Sequence, residues 1–94
     1  MLDWEVIVAD LERLHRAASE IDGWDKDQVA TFIRVGEWGL ALDDIAYAYL
    51  KTGTAMPTDL FRVFEKLSVE MEMDGDEDYE AVAQLRAETK ARLV

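Results

Sequence analysis

No cysteine occurs anywhere in this chain. Disulfide staples and thiolate metal sites are therefore excluded. Histidine occurs once, at His15, which denies a monomer any site built on paired imidazoles. Bases are scarce: 10 lysines and arginines face 21 carboxylates, for a net charge of −11. That balance opposes direct binding to nucleic acid or to anionic lipid, because phosphate contacts need Lys and Arg. It favours a basic partner, whose encounter would be speeded by long-range attraction. No apolar run is long enough to span a bilayer, and the start, Met1-Leu2-Asp3-Trp4-Glu5, carries no basic leader. The expectation is a cytoplasmic protein without a membrane segment. No stretch alternates apolar and polar residues with period two, so no sheet is expected.

What is present reads as helix. Half of the 94 residues are hydrophobic, enough for one domain with a single modest core. Trp4, Ile7, Val8, Leu11, Leu14, Ala18 and Ile21 keep one helical face, with Asp3 as N-cap and Gly23 as stop. A second stripe follows Asp25, carried by Val29, Phe32 and Ile33. Gly36 and Gly39 then interrupt it, each costing about 1 kcal/mol against alanine inside a helix. Beyond them Leu42, Ile45 and Tyr49 resume with the stripe rotated, so a kink or short turn is expected at the glycines. Ala41, Ala46 and Ala48 would let a neighbouring helix approach closely. The segment from Lys51 to Pro57 is the clearest loop, with Gly53 at the helix end and Thr58 capping the next helix. Leu60, Phe64, Leu67 and Met71 form that helix's stripe, widened by Phe61 and Val63; Tyr79, Val82, Leu85 and Thr89 form a thinner one in the last. The fold class expected is all-α, a small single-domain bundle of four to five helices spanning about 3–22, 25–36, 38–52, 58–73 and 77–92.

Few constellations offer chemistry. Glu12-Arg13-Leu14-His15 matches one Glu-x-x-His element of di-iron bundles, but those sites need the element twice, which only a symmetric dimer could supply. A rim histidine is the preferred reading. His15 lies one turn from Ser19 without an orienting third group or an oxyanion loop, and Ser68 has no base nearby in sequence. No glycine loop suits a phosphate. No catalytic residue, metal ligand or cofactor is assigned.

The stretch Glu70–Glu80 holds seven acids in eleven residues. Asp74, Asp76 and Asp78 echo the first ligands of a calcium loop, but the sixth position is Tyr79 rather than glycine and the twelfth is Leu85 rather than glutamate. The bland reading is a solvated helix connection. The sharper one is a negative patch for a partner's Lys and Arg, made of Glu70, Glu72, Asp74, Asp76, Glu77 and Asp78, with Tyr79 as an aromatic anchor. Glu37, Asp43 and Asp44 form a second candidate patch. Trp4 reads as core and Trp24 as a lid over the bundle end. Trp38 reads first as a packing wedge at the break and otherwise as an anchor. Tyr47 and Tyr49 point to different faces, one to be buried and the other offered to a partner.

Acyl carrier proteins are acidic helical bundles of this size, but their Asp-Ser-Leu motif has no counterpart in Ala18-Ser19-Glu20 or Leu67-Ser68-Val69. The run Gly36-Glu37-Trp38-Gly39-Leu40-Ala41-Leu42-Asp43, followed by a helix, a short loop and another amphipathic helix, resembles MafI-type immunity proteins of polymorphic and contact-dependent toxin systems. The resemblance covers roughly residues 29 to 73. It implies a non-enzymatic protein that binds the toxic C-terminal domain of a secreted effector, often an RNase or other nuclease, and neutralises it by stoichiometric occlusion. The partner would be basic and the free protein a monomer or weak dimer. It further implies that the acids listed in the two patches pair with basic toxin residues, with Trp38, Tyr47 or Tyr79 as the buried anchor. The alternative is an acidic adaptor or nucleic-acid mimic that regulates an endogenous basic protein.

Overall fold

A computed structural model describes residues 3–73 and 79–93. They form an all-α bundle of five helices: α1 (Trp4–Ala18), α2 (Lys26–Arg34), α3 (Trp38–Thr52), α4 (Thr58–Glu70) and α5 (Glu80–Leu93). There is no strand among the described residues, and none of these helices is long and apolar enough to cross a membrane.

α3 is the hub, and its composition explains why. Its interior stretch is apolar on most sides, and Ala41, Leu42, Ile45, Ala46, Ala48 and Tyr49 are all buried. The three alanines bring α1, α2 and α5 close to its axis. Ile7, Leu11, Leu14 and Ala18 supply α1's share of the core, Val29 and Ile33 that of α2, and Phe61, Phe64 and Leu67 that of α4. α1 and α4 run antiparallel, as two ion pairs show: Asp10 with Lys66 at 3.0 Å and Arg13 with Asp59 at 3.7 Å.

The helix ends show what the stripes alone do not. Asp3 caps α1 as expected, accepting from the Glu5 and Val6 amides. The helix then stops at Ala18, short of the expected 22. Side chains from beyond the corner take the carbonyls at and just past its end: the Trp24 indole N–H donates to Ala18 and Ile21, and the Lys26 ammonium to Ser19. Those bonds replace the next helical turn. Asp25 caps α2 through the Gln28 amide. α2 ends at Arg34, and Gly36, at φ +83, takes the left-handed conformation that turns the chain into α3. The expected break at the glycines is thus a tight turn between two helices. Thr58, expected as N-cap of α4, is its first helical residue instead. Pro57 holds the cap position at φ −58 and ψ 148, so its ring sets the extended approach and no side-chain cap bond forms.

α5 lacks a broad apolar face, burying Val82, Leu85 and Thr89. Polar clasps complete its docking. Asp43 on α3 accepts the Val82 amide at 3.1 Å, satisfying a first-turn donor of α5 from another helix. Glu65 on α4 pairs with Lys90 at 2.8 Å and Arg86 at 3.7 Å. Tyr79, just before α5, lies against Gly39 in the first turn of α3.

One core assignment is corrected. Trp4 is 60% exposed. It lies off the centre of the Ile7–Leu11–Leu14–Ala18 stripe, on the flank shared with Val8 and His15, and it opens α1 where no preceding turn covers it.

Candidate functional site

Two grooves flank α2, and both contain residues singled out from the sequence. The first runs between α2 and α3, holds about 560 Å3, and is lined by Gly23, Trp24, Asp25, Gln28, Asp44, Tyr47 and Lys51. α3 places Asp44 and Tyr47 on its outer side, away from the buried Ile45, Ala46, Ala48 and Tyr49. Tyr47 is 54% exposed. Tyr49 is buried, so the two tyrosines differ in burial as expected.

The electrostatics here are unusual. Asp44 is half-buried, and this burial pushes its carboxyl above the ordinary carboxylate range; the charges of Asp43 and Asp25 push it further. Asp44 has no ion pair or hydrogen bond among the described residues. Lys51 lines the same groove, but its ammonium reaches the Gly23 carbonyl, at 3.4 Å. The groove therefore presents two carboxylates from different helices beside an exposed phenol ring. Such a surface suits a guanidinium or ammonium carried by a partner.

The second groove runs between α1 and α2, holds about 420 Å3, and is walled by Trp4, Val8, Ala30, Ile33 and Trp38, with Glu12, His15 and Arg34 also lining it. Trp38 is half-buried, and its indole N–H is buried without an acceptor among the described residues. Glu37 is exposed beside it at the N-cap position of α3, making no side-chain cap bond.

The other candidates are dispersed. Asp43 is half-buried and engaged in holding α5. Burial raises its carboxyl, bonds from the Val82 and Ala81 amides oppose that, and Glu80 adds to it. Glu70 lines a groove between α4 and α5 with Glu65 and the bases Arg62, Lys66, Arg86 and Lys90, which places it among cations. Glu72 is exposed just past α4 with φ 55, an uncommon conformation for a non-glycine residue. Asp74, Asp76, Glu77 and Asp78 lie outside the described residues. Tyr79 is half-buried against Gly39.

The groups weighed for bond chemistry are occupied structurally. The His15 Nε2–H donates to the Lys26 carbonyl at 2.9 Å, and its ring meets Trp24 edge-on with centroids 6.2 Å apart. The hydroxyls of Ser19 and Ser68 donate to the carbonyls of His15 and Glu65, each at 2.7 Å. Among the described residues no group of three or more His, Asp or Glu side chains could hold a metal ion.

Asp25 and Trp4 are not among the binding residues that the sequence suggests: it marks Asp25 only as the start of the second stripe and Trp4 as core. A cap aspartate directly after Gly23-Trp24 is the local signal for the first; its partner Asp44 lies on another helix. Compared with protein-family models, curated proteins and solved structures, the chain matches none.

Proposed function

We propose that this protein is a binding inhibitor: it occupies the basic surface of a toxic protein domain, probed first at the groove between α2 and α3, and blocks it stoichiometrically in the cytosol of the cell that makes both. The Asp25–Asp44–Tyr47 constellation carries this reading. Asp44 is costly to the free protein, since it is half-buried beside Asp43 and Asp25 and has no cation paired to it among the described residues. A partner's Arg or Lys would relieve that repulsion, and Tyr47 would be covered in the same contact. The net charge of −11 supplies long-range attraction to a basic surface. The Gly36–Asp43 run, which resembles MafI-type immunity proteins, supports a toxin domain, and a nuclease is the toxin class whose phosphate-binding surface is basic.

The test is co-expression with a toxin domain encoded beside this gene, followed by co-purification and a toxicity assay. Protection by a one-to-one complex is expected. Tyr47→Ala should weaken binding by about tenfold or more, as truncation of an anchoring aromatic does. Asp25→Asn with Asp44→Asn should slow association and flatten its dependence on salt. A complex that forms with the same affinity in both variants would remove this groove from the interface. Absence of any complex with the neighbouring toxin would remove the inhibitor reading.

A further inference from the structure

All three tryptophans of the chain flank α2: Trp24 lines the groove toward α3, and Trp4 and Trp38 line the groove toward α1. Of the phenylalanines, Phe61 and Phe64 are buried, while Phe32 is partly buried against the core, as Trp24 and Trp38 are. The largest amphipathic rings are thus placed around one short helix, as at protein interfaces, where tryptophan is enriched among the residues that carry binding energy.

The α1–α2 groove differs from its neighbour in chemistry. Its walls are indole, valine, isoleucine and alanine, with Trp4 60% exposed. Among the residues that line it, Glu12 and Arg34 carry opposite charges, and further acids adjoin the lining. Glu12 lines it, Glu5 follows Trp4, and Glu37 sits between the lining residues Gly36 and Trp38. These three glutamates are exposed and have no ion pair among the described residues; Arg34 is the lining cation. An apolar slot adjoined by three exposed glutamates, on a chain of net charge −11, matches an apolar side chain flanked by lysine or arginine. A second copy of the chain is the poorer fit, since it would bring together two bodies of charge −11 each. The same net charge opposes an anionic bilayer.

We infer that the α1–α2 groove seats an apolar anchor side chain projecting from a lysine- and arginine-bearing segment of the partner, so that the partner straddles α2 and uses both grooves. This rests on the reading of a basic partner given above and adds a second, apolar contact to it. The acidic groove would govern encounter, and the indole groove the lifetime of the complex.

The full chain can be tested with two synthetic helical peptides of equal charge, one of leucine and lysine and one with each leucine replaced by alanine, by calorimetry at low salt. The leucine peptide should bind at least about tenfold tighter. Trp4→Ala and Ala30→Phe, both at exposed positions, should leave the thermal melt unchanged and bring the two peptides within about twofold of each other, by removing and by filling the groove. Asp44→Asn should weaken both peptides alike. Equal binding of the two peptides to the wild type would overturn this inference while leaving the charge reading in place. A leucine preference that survives both groove variants would overturn it too, because the anchor would then sit elsewhere. Sedimentation showing a dimer that Trp4→Ala dissolves would make a second copy the occupant and overturn it. Failure of both peptides to bind would sink it together with the charge reading.

Discussion

A Cβ built at Gly39 would stand 2.7 Å from the Tyr79 hydroxyl oxygen and 2.9 Å from Cζ. The glycine is there for a neighbour, whereas Gly36 is there for its own backbone angle. Alanine at 39 would gain about 1 kcal/mol of helix propensity, but only by displacing the tyrosine. Gly39→Ala should therefore leave stability flat or lower it, while in a Tyr79→Ala background it should raise stability by about 1 kcal/mol. A double-mutant cycle read by urea unfolding measures the difference, and additive effects would show that the contact has no energetic weight. Asp44 makes a prediction of opposite sign to most carboxylates. Its folded pKa is raised above the ordinary 3.8, so the native state holds its proton more tightly than the unfolded state does. Its charge subtracts from stability at neutral pH, and that loss is relieved as pH falls through the folded value towards 3.8. Asp44→Asn should stabilise the free protein at pH 7 by less than about 0.5 kcal/mol, and the gain should fade on acidification. A gain that persists unchanged at low pH would mean that burial and the neighbouring charges of Asp43 and Asp25 are not its source.

α5 shows how an element can be legible as a helix while its docking stays hidden. Val82, Leu85 and Thr89 were readable as its stripe because they recur at helical spacing, and all three are buried. The clasps were not readable, since Asp43 and Glu65 belong to other helices and nothing local marks them as partners of Val82, Arg86 and Lys90. The same applies to α1, whose early end is set by Trp24 and Lys26 reaching back across the corner. Asp43→Ala should cost about 1 kcal/mol, the usual price of a lost helix-terminal acceptor, and Asp43→Asn less, because an amide oxygen still accepts. Glu65→Gln should lower stability by about 1 kcal/mol. Lys90, by hydrogen bonding to Glu65, holds its carboxyl below the usual range, so this contribution is present at neutral pH and is lost as pH falls through the folded value. Amide exchange checks both: α5 should open first in either variant, and uniform loss of protection across all five helices would show that α5 is not a separable unit.

At the scale of the whole molecule, the net charge and the helical class were legible from composition and period, whereas the grouping of the candidate residues was not. Asp25 and Asp44 are far apart in the chain and meet only because α2 packs on α3. Trp4 fits the apolar stripe of α1, and periodicity does not reveal that the first turn lacks a neighbour on that flank. Arg62, Lys66, Arg86 and Lys90 line one groove between α4 and α5, where Lys66, Arg86 and Lys90 are paired with Asp10 and Glu65. The net charge of −11 attracts a basic partner at long range, and raising ionic strength should slow its association far more than it speeds dissociation. Stopped-flow rates across a salt series give that comparison. The placement of the indoles has a practical outcome as well. Because Trp4 is exposed and Trp24 and Trp38 are only half-covered, emission from this protein reports on its periphery. Its spectrum should already be partly red-shifted in the native state, change modestly on denaturation, and shift to the blue when the face around α2 is covered.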